Sequence, residues 1–170
     1  MYKEYEINTG DIGVVIKPKS FLGRLIAIFD KPHAFMLIRH YNTLYVYEMK
    51  VFGLNVMLYS DSYINENGWV ILKPKIEYSE KDIKKIQDFC ESINRDSIRY
   101  DTVSLLKHLY SKILNKYPLE KKRDLKYICS ELCAIITNYA KPYIFPAPES
   151  VTPKSILNNK NFYIYEKQKV

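Results

Sequence analysis

Cys129, His33 and Glu48 are the residues of this chain whose types and setting suit nucleophilic chemistry. A thiol hydrolase needs a cysteine whose thiolate is stabilised, a base within hydrogen-bond reach, and a third group that orients the base. Cys129 lies in "DLKYICSELCAIITNYA", residues 124–140, which reads as a buried helix. With Asp124 to Tyr127 as the entry, Cys129 falls near the helix N-terminus, where the macrodipole and unpaired backbone N–H groups favour a thiolate. Ser130 and Glu131 then occupy the first turn, and Cys133, a turn deeper between Leu132 and Ala134, reads as core. His33 follows Pro32 and opens a predicted strand, with Phe35 and Leu37 continuing on its face. Glu48 sits on the next strand among Tyr45, Val46, Tyr47 and Met49, where a carboxylate is costly unless it has a partner. An imidazole on the neighbouring strand would be one. In that arrangement Cys129 attacks a carbonyl, His33 takes the thiol proton and returns it to the leaving group, and Glu48 fixes the ring tautomer.

Taken singly, each residue has a plainer reading. Burial preference alone favours packing over nucleophilicity for a cysteine in an apolar helix. A strand-end histidine commonly makes one hydrogen bond, and Glu48 would be solvated on a strand with one wet face. A zinc site built on Cys129 and Cys133 needs two more ligands. Neither cysteine belongs to a Cys-x-x-Cys pair, no histidine follows at finger spacing, and only Cys90, His40 and His108 remain to complete a set. No metal is expected.

The elements that must position these side chains fall into two blocks. Strands are predicted over Asp11–Pro18, His33–Tyr41, Thr43–Val51, Leu54–Ser60 and Gly68–Pro74, with a short serine-capped helix over Ser20–Asp30. The last four strands are close-set and joined by short turns, which predicts an antiparallel meander. After Pro74 the apolar period becomes helical. Ser79 and Asp82 form a capping box for a helix carrying Ile83, Ile86, Phe89 or Cys90, and Ile93, and a second helix is predicted over Thr102–Tyr117. The four prolines of Lys141–Leu157 predict an ordered loop ending in a short helical turn, and Asn161–Lys167 alternates as a last strand. Strands followed by helices argue for an α+β domain.

Composition sets the outer bounds. A chain of 170 residues with 47% apolar and 26% charged residues suits a single domain, residues 1–170, with a substantial core. No apolar run exceeds five residues, and "MYKEYEINTG" is polar, so neither a signal peptide nor a membrane span is expected. Three cysteines exclude a disulfide framework and fit a reducing compartment. The net charge of +7 is dispersed apart from Lys121, Lys122 and Arg123, and no nucleic-acid-binding motif is present, so no specific nucleic-acid partner is expected.

The ordered set "GDIGVVI", "HAFMLI", "YVYEMK", "RYD" and "YICSELC", with "SVTPKSIL" downstream, resembles the permuted papain-like branch of the NlpC-type cysteine hydrolases, the YiiX/YebB-like group. The likeness spans nearly the whole chain. It implies a circularly permuted papain-like α+β fold, a small antiparallel sheet packed against helices, with His33, Glu48 and Cys129 in that chain order. It also implies that Tyr100 and Tyr127 line the site, that one of them donates to the oxyanion beside the Cys129 backbone N–H, and that Ser130 belongs to the same surround. The departures are "FDKPHAF" in place of a glycine next to the histidine, and the lack of a recognisable secretion or lipoprotein signal.

The resemblance therefore implies a cysteine-dependent amide or ester hydrolase, or an acyltransferase by the same acyl-enzyme thioester, with no cofactor. Cell-wall peptides and lipid-linked amides or esters are the substrate classes it suggests. The alternative is a non-enzymatic structural or binding module, viral or phage in origin, that retains the fold; the Lys-, Asn-, Ile- and Tyr-rich composition suits a low-GC genome. The expected location is cytoplasmic, or the host cytoplasm or virion for a viral protein.

Overall fold

The computed structural model describes residues 6–18, 33–50, 52–60, 68–93, 99–100 and 126–167. The helices expected over Ser20–Asp30 and Thr102–Tyr117 lie outside the described residues, as do His108 and the basic cluster at 121–123. In chain order the elements are β1 (Ile12–Lys17), β2 (His33–His40), β3 (Thr43–Lys50), β4 (Gly53–Leu58), β5 (Gly68–Pro74), α1 (Glu80–Ser92), β6 (Arg99–Tyr100), β7 (Lys126–Tyr127), α2 (Cys129–Ala140), α3 (Pro153–Leu157) and β8 (Phe162–Lys167). Together they form an α+β arrangement. Six strands make one antiparallel sheet in the order β4-β3-β2-β1-β5-β8, and β6 pairs with β7 in a two-residue parallel ladder.

The expected meander is only partly realised. β2, β3 and β4 do run as consecutive antiparallel neighbours, but β5 leaves the β4 edge and pairs with β1 on one side and β8 on the other. Its sequence gives the reason: Trp69, Val70, Ile71 and Leu72 are apolar without alternation, so the strand needs cover on both faces, which an edge position next to β4 would not provide. The central strands of the sheet are buried on both sides. Ile12, Val14, Ala34, Met36, Val70 and Leu72 face a core shared with the helices, whereas Val15, Phe35, Leu37, Val46, Trp69 and Ile71 form a second cluster on the opposite face.

α1 opens with the expected capping box. Ser79 Oγ accepts from the Asp82 amide, and Asp82 Oδ2 accepts from the Ser79 amide at 3.1 Å. Its Ile86 and Cys90 are the buried positions, on the face toward α2. Loop 141–150 leaves the C-terminal end of α2, roughly 17 Å from Cys129 by helix rise. It is pinned there by Asn138, whose side chain donates to the Phe145 carbonyl at 2.7 Å and accepts from its amide at 3.0 Å. Phe145 stacks on Phe162 of β8. The segment is thus tied to the C-terminal end of α2 at Phe145 and reaches back to the start of the helix at Val151.

Before β1 the chain makes a close turn. Gly10 has φ +93° and its Cα faces the Tyr78 ring, so a side chain there would be both strained and blocked. The buried Asp11 carboxylate accepts from the Asn8 amide at 2.9 Å and lies 3.6 Å from the Lys73 ammonium. Burial raises Asp11 to about 6 in spite of Asn8, Lys73 and Arg39, all of which act in the opposite direction. One strand position tests the second cluster. A Cβ on Gly13 would lie 1.8 Å from the ring of Phe35, its direct partner on β2. Gly13→Ala is expected to lose about 2 kcal/mol in urea unfolding, and adding Phe35→Leu should recover part of that loss.

Candidate active site

The site is built at one end of the sheet, where β2 begins and β3 ends. His33 alternates with Phe35 and Leu37, and Glu48 alternates with Leu44 and Val46, so both start from the same face of adjacent strands. Their side chains meet: His33 Nε2 lies 2.8 Å from Glu48 Oε2. Glu48 is 1% exposed, and its second oxygen accepts from Asn55 Nδ2 at 2.9 Å and lies 2.9 Å from Lys50 Nζ. The structure thus brings a buried carboxylate against the imidazole predicted from the neighbouring strand.

Cys129 enters from the other block as the first residue of α2. Ile128 before it is extended, and its amide donates to Glu131 Oε2 at 3.0 Å, so the helix start is closed by the carboxylate three residues in. Ser130 Oγ donates to the Val151 carbonyl at 2.6 Å. Both side chains are fully buried, and the visible work of Ser130 is to tie the helix start to the residues before α3. Tyr100 and Tyr127 are register partners in the β6–β7 ladder, and Tyr127 lies two residues before Cys129.

The electrostatics link the three groups. Burial pulls the His33 imidazolium down, but the neighbouring Cys129 sulfur acts upward, as do the bond to Glu48 and its charge; the outcome is a rise to about 10. With Nε2 engaged by Glu48, Nδ1 is the ring nitrogen left for the sulfur. Burial would raise Glu48, yet the bond and charge of His33 and the bonds from Lys50 and Asn55 pull it down to about 2. The other two thiols are different. Burial lifts Cys90 to about 12, with the Glu91 charge acting the same way, and lifts Cys133 well above the ordinary range. Cys129 keeps 5% of its surface exposed, while Cys133 has none.

Asn55 and Lys50 were not read from the sequence as part of any site, although hairpin arithmetic contains them. The β3–β4 pair opposes Lys50 to Gly53 and hence Glu48 to Asn55, and Lys50 shares the face of Glu48 two residues on. A lone asparagine inside "GLNVML" was the available signal. His40 lies at the opposite end of β2, where Nδ1 is 3.5 Å from Glu91 Oε1. Among the described residues no three His, Cys, Asp or Glu side chains are grouped to hold a metal ion. No helix among them is long and apolar enough to cross a membrane.

No known family profile matches this sequence, and no curated protein does so. Five solved chains match in structure. One is the crystal structure of metalloprotein yiiX from Escherichia coli O157:H7, with a TM-score of 0.57 and 16% identity over 96% of this chain and 98% of that one. The chain has the fold of that protein. At this identity the likeness concerns fold alone.

The Glu48 pairing has a signed consequence for stability. Its folded value lies below the unfolded 4.5, so the contribution is complete above pH 4.5 and is lost as pH falls through about 2. Glu48→Gln is therefore expected to unfold on the order of 3 kcal/mol more easily than wild type at neutral pH. The gap should close as pH is lowered from 4.5 toward 2 in urea titrations.

Proposed function

We propose that residues 1–170 form a single circularly permuted papain-like domain that acts as a thiol-dependent amide or ester hydrolase, or as an acyltransferase through the same thioester. The observation that carries this reading is the placement of His33 between a buried carboxylate and the sulfur at a helix start. Sγ of Cys129, its proton held by His33 Nδ1, attacks the substrate carbonyl, forming the C–S bond and a tetrahedral oxyanion. The first-turn N–H groups of α2 lack helical partners and suit that oxyanion, with Tyr100 or Tyr127 as the second donor. Collapse expels the amine or alcohol, which takes the proton from His33. Water, or an acceptor in the transfer reaction, then attacks the thioester and restores the thiol. Glu48 holds the ring and offsets the imidazolium charge throughout. Cell-wall peptide amides and lipid-linked amides or esters are the substrate classes in view.

The structural neighbour is described as a metalloprotein, but these residues do not suit a resident metal. Glu48 has one oxygen on His33 and the other on Asn55 and Lys50, so an ammonium already stands where a cation would bind. No step of the reaction is routed through one.

A chloroacetamide activity probe tests the proposal. Wild type should be labelled at Cys129, Cys129→Ala should not be labelled, and His33→Ala should be labelled at least about tenfold more slowly. Labelling confined to Cys90 would overturn the reading and leave a non-enzymatic module with this fold.

A further inference from the structure

Glu48 has more partners than a simple third member of a triad requires. Oε2 faces His33, and Oε1 is held at 2.9 Å by both the Asn55 amide and the Lys50 ammonium. These partners come from three consecutive strands: His33 from β2, Lys50 from β3 itself and Asn55 from the position directly across on β4. Glu48 is buried, whereas the Lys50 side chain is 38% exposed and runs from the carboxylate toward solvent. A carboxylate that is buried and bears hydrogen bonds on both oxygens is fixed in rotation as well as in charge.

We infer that Lys50 and Asn55 are positioning residues of this site, which hold Glu48 ionised and aimed so that His33 keeps the orientation that serves Cys129. The inference rests on the thiol reading above. Removing these donors takes two close partners from a buried carboxylate oxygen and favours its turning or taking up a proton. Either change removes the negative partner from His33 Nε2 and so weakens the imidazolium that receives the Cys129 proton. The charged and titratable groups around Glu48 are consistent with this assignment. Among the described residues, β2 and β3 supply His33 and Lys50; α2 contributes Cys129 beyond the imidazole; and Glu131 of the same helix is turned to the Ile128 amide.

The effect is distinct from that of a merely structural residue, because it operates only while Cys129 depends on His33 for its reactivity. Second-order rates of Cys129 alkylation by iodoacetamide, measured near pH 6 and near pH 10 with peptide mapping, separate the two. Lys50→Met and Asn55→Leu should react about tenfold more slowly than wild type near pH 6. Near pH 10, where an unassisted thiol is itself deprotonated, they should come within about twofold of it. Lys50→Arg keeps the charge and should retain the wild-type rate at both values. Unchanged rates near pH 6 would overturn the inference, and so would equal slowing at both pH values, which would mark damage to the scaffold. A wild-type Cys129 that alkylates no faster near pH 6 than the cysteine of His33→Ala would instead sink the thiol reading itself.

Discussion

The buried charge of Glu48 is the constraint on which the site end of this molecule depends. A carboxylate taken out of water without compensation costs several kcal/mol, and removal of a single partner from a buried pair is strongly destabilising. Compensation here comes from three adjacent strands at 2.8–2.9 Å. Register and site are consequently the same problem. A one-residue slip between β3 and β4 would turn Asn55 to the other face and leave Oε1 without its amide donor. The hairpins that carry β2, β3 and β4 are thus held in place by polar pairing as well as by the apolar clusters on either side of the sheet.

Asp11 shows what Glu48 would be without such company. Both carboxylates are buried and both lie near a lysine, yet burial lifts Asp11 to about 6 whereas Glu48 falls to about 2. The difference lies in the partners. Asp11 has a backbone amide and a lysine at 3.6 Å, a lysine whose ammonium also donates to the Glu6 carbonyl and sits over the Tyr165 ring. Glu48 has an imidazole, an ammonium and an amide, all in close contact. Coulombic attraction in a low-dielectric setting grows steeply at short range, and hydrogen bonds to the charged form add to it. The Gly10-Asp11 pair at the start of β1 therefore reads as a folding element: a turn that only glycine fits, followed by a carboxylate that organises the residues before the strand.

Much of this was legible in the sequence. Strand and helix positions follow from alternation, from the Ser79 box and from Pro153 after the Thr152 cap, because those signals are local. The cost of an isolated carboxylate in "YVYEMK" pointed to His33 on the adjacent strand for a reason that needs no coordinates. Strand order was less legible. Periodicity says that Trp69–Leu72 needs two covered faces, but the choice of β1 and β8 as neighbours is a tertiary outcome. Lys50 and Asn55 were missed because each is unremarkable alone, and only the two-residue β3–β4 turn brings Asn55 across from Glu48. Ser130 and Glu131 were placed in the first turn of their helix, and their side chains divide the labour there: Glu131 closes the helix start and Ser130 anchors it to Val151.

That division matters for how the sulfur is held. The imidazole and its carboxylate come from neighbouring strands of a local meander, so their geometry is settled by short hairpins. Cys129 arrives from far along the chain, on a different element, and nothing in the β2–β4 register specifies where α2 begins. Two buried side chains do this instead. Glu131 satisfies the Ile128 amide and so defines the first residue of the helix, and Ser130 fixes that end against the segment leading into α3. Cys129 is left as the residue at the tip with neither side-chain duty, beside a histidine that has the buried Glu48 carboxylate behind it. A helix beginning one residue later would rotate this position by about 100° and carry the sulfur away from the ring. The chemistry of the site accordingly depends as much on two residues that touch no substrate as on the three that would.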